Sequence, residues 1–317
     1  MFLLLALGAA PIVAKAQQAR TYRIGVIMLG GSYSKAIDGL KGGLRALGFE
    51  EVKQFLLHVR DVKGDLKAVE ASARSLEEEK VDLIFALAGS VAIAAKRATK
   101  GVPIVFYVGT DPVQLGLVKS LRKPAGRLTG IYGQSTDLAG KRVQLLTQII
   151  PNLRRIVTFY NPDNPTSRFT IANTRDAARK LKVELIERHV SSVDALQAGL
   201  GALRPGEADA FLYAADGMIA SQAGLIIKTA MEKKLPTMFA DNEDAAKGAL
   251  ASYGVSFDEI GRLAARNIHR ILLGANPGGL PVEQVDRLYL VVNLKTAKAL
   301  GLAIPQPVLA RADEIIQ

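Results

Sequence analysis

Short apolar runs alternate along the chain with longer amphipathic stretches, and the whole alternation occurs twice. Ile24–Met28 opens the first series, and Ile156–Tyr160 opens the second. Later in each series, Val81–Gly89 matches Ala208–Asp216. The offset stays near roughly 130 residues, which is too long for a solenoid repeat and about right for a whole α/β lobe. The pattern therefore predicts two similar lobes with a cleft between them, where small ligands usually bind.

The apolar runs are continuous, as expected for strands of a parallel sheet that is covered on both faces. The predicted strands are Tyr22–Met28, Gln54–Asp61, Val81–Ala86, Pro103–Val108 and Leu128–Tyr132, then Arg155–Tyr160, Val183–His189, Ala208–Ala214, Pro236–Phe239 and Leu250–Tyr253. Helices are predicted between them, including Val113–Leu121 and Ile219–Lys233. This alternation predicts an α/β protein with two Rossmann-like, doubly wound parallel-sheet lobes.

The last third of the chain does not extend the repeat. A long helix at Asp258–Leu273 is followed by a loop, a strand at Tyr289–Asn293 and a short helix at Leu294–Leu300. These elements are left over after two lobes of five strands, so they are predicted to cross back between the lobes in several segments. The predicted division is 21–134 plus 251–280 for the N-terminal lobe and 135–250 plus 281–317 for the C-terminal lobe.

Residues 1–16 have the pattern of a secretory signal peptide. Phe2–Val13 is apolar but short for a membrane span, and Ala14-Lys15-Ala16 is a small-x-small cleavage site. No basic residue precedes the apolar run, so a buried N-terminal helix is the alternative. The signal predicts a periplasmic protein.

Composition excludes several classes of protein. The 317 residues include no cysteine, so a disulfide framework, a thiolate metal site and a lipid-modified cysteine are impossible. The net charge is +11, but the basic residues are scattered beside acidic ones and form no arginine-rich tract. We therefore expect no nucleic-acid partner. His58, His189 and His269 have no metal-ligand spacing, and no metal or cofactor is expected.

Ligands of parallel sheets meet the loops that follow the carboxyl ends of the strands. Gly89-Ser90 begins a helix, whose free N–H groups and serine hydroxyl could hold a carboxylate; a plain N-cap is the alternative. Asp216 is at the matching position of the second half and could pair with an ammonium group. The two residues together predict a ligand with a carboxylate at one end and an amine at the other.

The other strand-end loops supply further candidates. Tyr33 follows Gly30-Gly31-Ser32 in the first loop and is the strongest aromatic candidate, because tyrosines at one rim would line a pocket. Asp111 and Asn161 are in segments that also favour helix or turn capping. The predicted ligand-binding residues are Ser32, Tyr33, Gly89, Ser90, Thr110, Asp111, Asn161, Asp216 and Asp241.

Enzyme signatures do not occur in the chain. No G-x-G-x-x-G follows the first strand, Gly30-Gly31-Ser32 lacks the rest of a P-loop, and there is no G-x-S-x-G elbow. We therefore predict a binding protein with no catalytic residues.

Several segments together resemble the ABC-transporter substrate-binding family that includes tryptophan and tyrosine binders. They are Tyr22–Val26, Val81–Ile84, Pro103–Phe106, Thr110–Val113, Leu128–Gly130, Tyr160–Pro162 and Gly248–Ser252. The resemblance covers nearly everything after the predicted signal. It implies a type I periplasmic-binding-protein fold with three crossings between the lobes, and it places Ser90, Asp111, Asn161 and Asp216 near the ligand. One departure is Gly89-Ser90, where family members often have Thr-Pro.

The prediction for function is thus an extracytoplasmic, monomeric receptor of an ABC importer that passes its ligand to membrane permease subunits. Its ligand would be a small carboxylate, with an aromatic or branched amino acid preferred. Two alternatives remain at this point: the same receptor with a non-amine aromatic carboxylate, and a cytosolic ligand-sensing domain.

Overall fold

A computed structural model of the protein describes residues 20–317; the predicted signal peptide, residues 1–16, lies outside the described residues. Two β-sheets, each flanked by helices, form two lobes. Within residues 20–317, no helix combines the length and the apolar character that a membrane span requires.

The first half of the chain forms alternating strands and helices. They are β1 (Tyr22–Met28), α1 (Ser34–Ala46), β2 (Phe55–Asp61), α2 (Ala68–Glu78), β3 (Leu83–Leu87), α3 (Gly89–Ala98), β4 (Ile104–Val108) and β5 (Leu128–Tyr132). Every residue of β3, β4 and β5 is buried, which explains their continuous apolar sequences. The edge strand β2 is partly exposed and mixes polar with apolar residues.

The rest of the chain repeats this alternation and then adds shorter elements. They are α4 (Ala139–Ile149), β6 (Arg155–Tyr160), α5 (Pro165–Leu181), β7 (Glu184–His189), α6 (Val193–Ala202), β8 (Ala210–Leu212), α7 (Gly217–Ser221), α8 (Ala223–Glu232), β9 (Thr237–Asp241), α9 (Asn242–Ala246), β10 (Ala251–Val255), α10 (Phe257–Leu272), β11 (Glu283–Gln284), β12 (Tyr289–Asn293), α11 (Leu294–Ala299), α12 (Gln306–Leu309) and β13 (Glu314–Ile316).

Strand order confirms that the two halves are equivalent. The first sheet runs β11-β5-β4-β3-β1-β2 and the second runs β13-β12-β10-β9-β8-β6-β7. Without the added strands, each sheet has the doubly wound order in which the first strand lies between the second and the third. All pairings are parallel except that of β10 with β12. The predicted fold class, two doubly wound parallel-sheet lobes, is confirmed.

The chain passes between the two sheets three times, and two of the passages differ from the predicted division. The first is at 133–138, between β5 and α4, close to the predicted boundary. The prediction placed 251–280 in the N-terminal lobe, but β10 pairs with β9 and β12, so the second passage is at Ser256. The prediction also placed 281–317 in the C-terminal lobe. Because β11 pairs with β5 of the first sheet, the third passage comes after β11, at 285–288. Both boundaries move because the lobe of each segment is decided by the strands with which β10 and β11 pair, and these partners are distant in the sequence.

Two predicted helices differ in the structure. Val113–Leu121 forms turns, because Gly116 adopts φ +65° and Lys96 Nζ donates to the Gly116 carbonyl 2.6 Å away. Ile219–Lys233 is divided at Gln222 into α7 and α8. In both places, an amphipathic sequence alone did not reveal the break.

Helices α1 and α10 pack in unusually close contact in the first lobe. A Cβ on Gly261 of α10 would lie 2.1 Å from the Ala36 carbonyl oxygen, and one on Gly39 of α1 would lie 2.0 Å from the Asp258 carbonyl oxygen. Only glycine permits this approach. The contact fixes the starts of both helices, which carry Tyr33 and Phe257 to the cleft.

Candidate functional site

A small, partly open cavity lies between the two lobes, at the carboxyl ends of the strands. Its volume is about 30 Å³, which leaves room for water but not for an amino acid. Its walls come from both halves of the chain: Tyr33, Ala88, Tyr107, Gly109, Ser135, Thr166, Tyr213, Ala215, Asp216, Gly217, Asp241 and Phe257. The loops after β1, β3, β6 and β8 contribute, as expected where the strand order of a doubly wound sheet reverses.

Four aromatic rings form much of the cavity wall. Phe257 packs against Tyr33 and Tyr107, with ring centroids 4.8 Å and 5.5 Å apart. Tyr213 stacks on Phe239 at 5.7 Å. Burial raises the pKa of Tyr33, Tyr107 and Tyr213 well above the usual value, so all three phenols stay neutral. The wall is suited to an apolar or aromatic group.

The start of α3 has hydrogen-bonding groups that the described residues leave unused. Among the helices that begin at the cavity, α5 and α7 are capped by side chains but α3 is not. Ala88, which precedes α3, has φ +110°, a conformation that is strained for a residue with a Cβ. The hydroxyl oxygens of Ser90 and Thr166 are buried beside this helix start and have no hydrogen-bond partner within residues 20–317. Free amides and unused hydroxyls together match a carboxylate.

Asp216 lies at the cavity but is fully occupied by its own lobe. One carboxylate oxygen accepts hydrogen bonds from the Met218 and Ile219 amides at 2.8 and 3.2 Å, capping α7. The other accepts from Asn164 Nδ2 at 2.9 Å and Ser167 Oγ at 2.6 Å. Four donors already fill the lone pairs of this carboxylate, so the geometry does not favour the pairing of Asp216 with an ammonium group, which stays a prediction.

Asp241 is the carboxylate that has no such partners. It lies at the end of β9 in the cavity wall, is only 5% exposed, and accepts no side-chain or capping hydrogen bond from the described residues. Burial raises its pKa well above the ordinary value near 3.8, and the carboxylates of Asp244 and Glu243 raise it further. Among residues 20–317, these acids form no group placed to hold a metal ion. A buried carboxylate without a donor is a natural partner for a ligand cation.

Hydrogen bonds connect the two lobes beside the cavity. Ser32 Oγ of the first lobe donates to Asp244 Oδ1 of the second at 2.8 Å. Lys247 Nζ donates to the same oxygen at 2.8 Å and also to Ser32 Oγ. Ser32 and Asp244 are both buried, so the bonds are shielded from water. We call these three residues the interlobe cluster; they hold the lobes together in a closed arrangement.

The other predicted site residues have different surroundings. Gly89 packs against Thr166, since a Cβ there would lie 2.7 Å from Thr166 Oγ1. The Thr110 hydroxyl bonds to that of Thr136 at 2.7 Å. Asp111 and Asn161 cap turns through the amides of residues 113 and 163. Of the predicted residues, Tyr33, Asp216 and Asp241 line the cavity, and Ser90 is close to Gly217 beside it.

Sequence reasoning missed Ser135 and Phe257, which line the cavity from the first and second crossing segments. Each follows the fifth strand of its repeat, β5 or β10. The rule that ligands meet the loops after strand carboxyl ends, here called the strand-end rule, was not applied to these two segments, because both were interpreted only as connections between the lobes. Thr166 and Tyr213 were detectable, because both are in or beside loops that the rule selects.

Known proteins match this chain over nearly its whole length. The family model described as "ABC transporter substrate binding protein" matches residues 23–316. A curated relative, the tyrosine-binding protein of Clostridioides difficile (strain R20291), is 29% identical over 272 residues, which cover 86% of this chain and 78% of that protein. These proteins are named for binding solutes rather than for catalysis.

Two solved structures bear on the closed arrangement. An ABC domain from Streptococcus pneumoniae in complex with L-Trp has a TM-score of 0.83 at 25% identity, covering 94% of this chain and 100% of that one. A ligand-free, open substrate-binding protein from Clostridium difficile has a TM-score of 0.62 at 27% identity, covering 93% and 99%. At similar identity, the greater likeness to the complex agrees with the contacts between the lobes. By its sequence match and its two similar lobes, the chain belongs to the ABC transporter substrate-binding protein family and has a type I periplasmic-binding-protein fold.

Proposed function

We propose that this protein is the extracytoplasmic receptor of an ABC importer and that it closes on a small α-amino acid with an aromatic or branched side chain. One observation carries the proposal. The cavity between the lobes has free hydroxyls and uncapped helix amides at one place, with aromatic rings around it. At another place it has the carboxylate of Asp241, which caps no helix amide among the described residues.

The start of α3 would bind the ligand carboxylate. Its uncapped amides carry the positive end of the helix dipole, and the hydroxyls of Ser90 and Thr166 are free to donate. Ser90 comes from the first lobe and Thr166 from the second. A carboxylate between them would therefore contact both lobes at once and favour closure.

Asp241 would bind the ligand ammonium group, the role first predicted for Asp216. An ammonium group supplies the hydrogen-bond donors that the described surroundings of Asp241 lack, and its positive charge adds to that of Arg142 and Lys247 against the neighbouring carboxylates. The rings of Tyr33, Tyr107 and Phe257 would pack the ligand side chain. A cavity of about 30 Å³ is smaller than any amino acid, so binding requires the lobes to part and then close around the ligand.

Export and transport complete the proposal. The predicted signal peptide at residues 1–16 would direct the chain to the periplasm. There the closed, monomeric receptor would dock on the membrane permease subunits of the transporter.

A ligand panel tests this function. Protein stripped of bound ligand by unfolding and refolding is titrated in a calorimeter with L-tyrosine, L-tryptophan, L-phenylalanine and L-leucine, and with analogues of each that lack the amine. We expect one of these amino acids to bind and its desamino analogue to bind roughly a hundredfold more weakly, because Asp241 would lose its buried partner. Equal affinity for the two would favour the non-amine carboxylate and contradict the role of Asp241.

The interlobe cluster gives a second prediction. Ser32→Ala removes the hydrogen bond from Ser32 to the Asp244 carboxylate, which is present only when the lobes are closed. A hydrogen bond to a charged group contributes about 1.5–3 kcal/mol, so ligand affinity should fall roughly tenfold to a hundredfold. Calorimetry measures the affinity, and stopped-flow should place the change in faster ligand dissociation.

Ser34→Ala is the matched control for Ser32→Ala. Ser34 Oγ donates to the Gly31 carbonyl oxygen within the first lobe, so its loss should leave ligand affinity unchanged. An unaltered affinity in Ser32→Ala would mean that the cluster does not stabilise the closed arrangement.

A further inference from the structure

Arg142 of α4 is a fully buried arginine that the proposed ligand contacts do not use. Its side chain is 0% exposed and is the largest of the completely buried side chains. Within the described part of the chain, the hydrogen bonds of its guanidinium group end on Ser135 and Tyr253, and neither is an acid. A buried charge without a carboxylate in contact destabilises a fold unless its surroundings compensate, so its position requires an explanation.

The partners of Arg142 lie in one crossing between the lobes and in the strand that leads into another. Nη1 donates to the Ser135 carbonyl oxygen at 2.8 Å, and Nη2 is 3.3 Å from Ser135 Oγ. Ser135 is in the first crossing, 133–138. Nε donates to the Tyr253 carbonyl oxygen at 2.8 Å, three residues before the second crossing at Ser256. One guanidinium group therefore ties both crossings to the second lobe.

The third crossing is tied to the same place. Gln134 Nε2, next to Ser135, donates to the Val285 carbonyl oxygen at 2.9 Å. The crossings also lead into the cavity wall, since Ser135 and Phe257 both line it. A change in the position of Arg142 would thus reach the hinge and the ligand cavity together.

Arg142 is also close to the strand end that carries Asp241. A Cβ on Gly254 would lie 2.0 Å from the Ala240 carbonyl oxygen and 3.2 Å from Arg142 Nη2. Only a glycine at 254 lets β10 approach both groups. The guanidinium charge favours the ionised form of Asp241 and lowers its pKa, against the stronger effects of burial and of two neighbouring acids.

We infer that Arg142 is a positioning residue for ligand binding: its guanidinium joins the first two crossings into one hinge unit and places a positive charge behind Asp241. It acts through Ser135, Tyr253 and Asp241 and does not touch the ligand. The role of the charge behind Asp241 rests on the proposed function, while the hinge role is independent of which ligand binds.

The test uses the absence of cysteine from the chain, which allows labels to be placed at chosen sites. Lys67 and Asp194 are exposed residues from different lobes that line the same groove at the cleft. Spin labels on K67C and D194C report the distance between the lobes by pulsed electron resonance. The labelled parent is compared with R142K, R142M and R127K, each with and without the amino acid that binds best.

Arg127 is the matched control. It also donates to three backbone carbonyl groups, those of Lys96, Thr99 and Val102, but all of them lie in the first lobe. R127K should lower thermal stability without changing the interlobe distances or the affinity. In R142K, a single ammonium group cannot reach both Ser135 and Tyr253, so we expect a broader distance distribution without ligand and at least tenfold weaker binding.

R142M separates the two roles of Arg142. It removes the charge as well as the hydrogen bonds, and an apolar chain of similar length suits a buried site, so it also serves if R142K does not fold. We expect the pH at which ligand affinity declines to move upward in R142M and to stay in place in R142K. The titratable or charged groups around Asp241 in this comparison are Tyr33, Tyr107, Arg142, Tyr213, Glu243, Asp244 and Lys247.

The outcomes are distinguishable from failure of the proposed function. If the parent binds no α-amino acid, the ligand assignment fails, but the distances without ligand still test the hinge role. If both Arg142 variants have the distance distribution of the parent and an affinity within threefold of it, the inference is overturned. If the pH dependence of ligand affinity is unchanged in R142M, only the role of the charge behind Asp241 is overturned.

Discussion

Asp241→Asn should weaken binding of the amino-acid ligand roughly a hundredfold to several thousandfold. The substitution keeps the size of the side chain but removes the negative charge that would face the ligand ammonium group in the cavity. Breaking a buried charge pair by removing one partner costs about 3–5 kcal/mol, which gives this range of affinity. The fold should tolerate the change, because Asp241 forms no capping hydrogen bond and its burial raises its pKa.

The same variant should also lose a pH dependence. Because the pKa of Asp241 is raised, its carboxyl group holds a proton at pH values above 3.8, where an exposed aspartate is already ionised. An ammonium ligand favours the ionised form, so binding to the parent releases a proton, and affinity increases as the pH rises through the raised pKa. Calorimetry in buffers of different ionisation enthalpy measures that proton, and in Asp241→Asn it should disappear.

Asp111→Asn provides the control for Asp241→Asn. Asp111 is in the equivalent loop of the first lobe, and its carboxylate caps the Val113 amide, a role that asparagine also fills. Asp111→Asn should bind the amino acid with the affinity of the parent and release the same number of protons on binding. If Asp241→Asn also bound the amino acid as the parent does, the ammonium group would have a different partner.

Gly261→Ala should destabilise the first lobe by about 3 kcal/mol, at the upper end for an overpacked site. The added Cβ would lie 2.1 Å from the Ala36 carbonyl oxygen and 2.5 Å from the Leu40 amide nitrogen. Both atoms belong to the backbone of α1, so the helices must separate. The separation should also part Tyr33 from Phe257, whose ring centroids are 4.8 Å apart, and should weaken ligand binding. Urea denaturation and calorimetry measure the two effects.

Gly224→Ala is the helical control for Gly261→Ala. Gly224 is near the start of α8, and a Cβ there would have no atom within 4 Å. Alanine is favoured over glycine in a helix by roughly 0.5–1 kcal/mol, so this variant should be slightly more stable than the parent. Equal stability of Gly261→Ala and the parent would mean that α1 and α10 can separate without loss.

The alternation of apolar and amphipathic stretches was sufficient to predict the two lobes and their cleft. Continuous apolar runs such as Leu83–Leu87 have one favourable place, inside a sheet that is covered on both faces. Equivalent runs in the two halves then form sheets of the same strand order, and the strand-end rule selects the loops that carry Tyr33, Ser90 and Asp241. These inferences depend on local patterns and on general topology, which a sequence contains.

Which aspartate is free to bind a ligand was decided only by tertiary structure. Asp216 and Asp241 both follow a strand of the second lobe, and the sequence favoured Asp216. In the fold, donors from Asn164 and Ser167 fill the carboxylate of Asp216, while Asp241 receives no side-chain or capping hydrogen bond from residues 20–317. Arg142 is a second example. An arginine on an amphipathic helix is usually exposed, but the tertiary structure buries Arg142 beside two crossings. The sequence by itself determined the lobes, since burial of apolar residues follows from their spacing. The chemistry of the site depended on groups distant in the chain that meet only after folding.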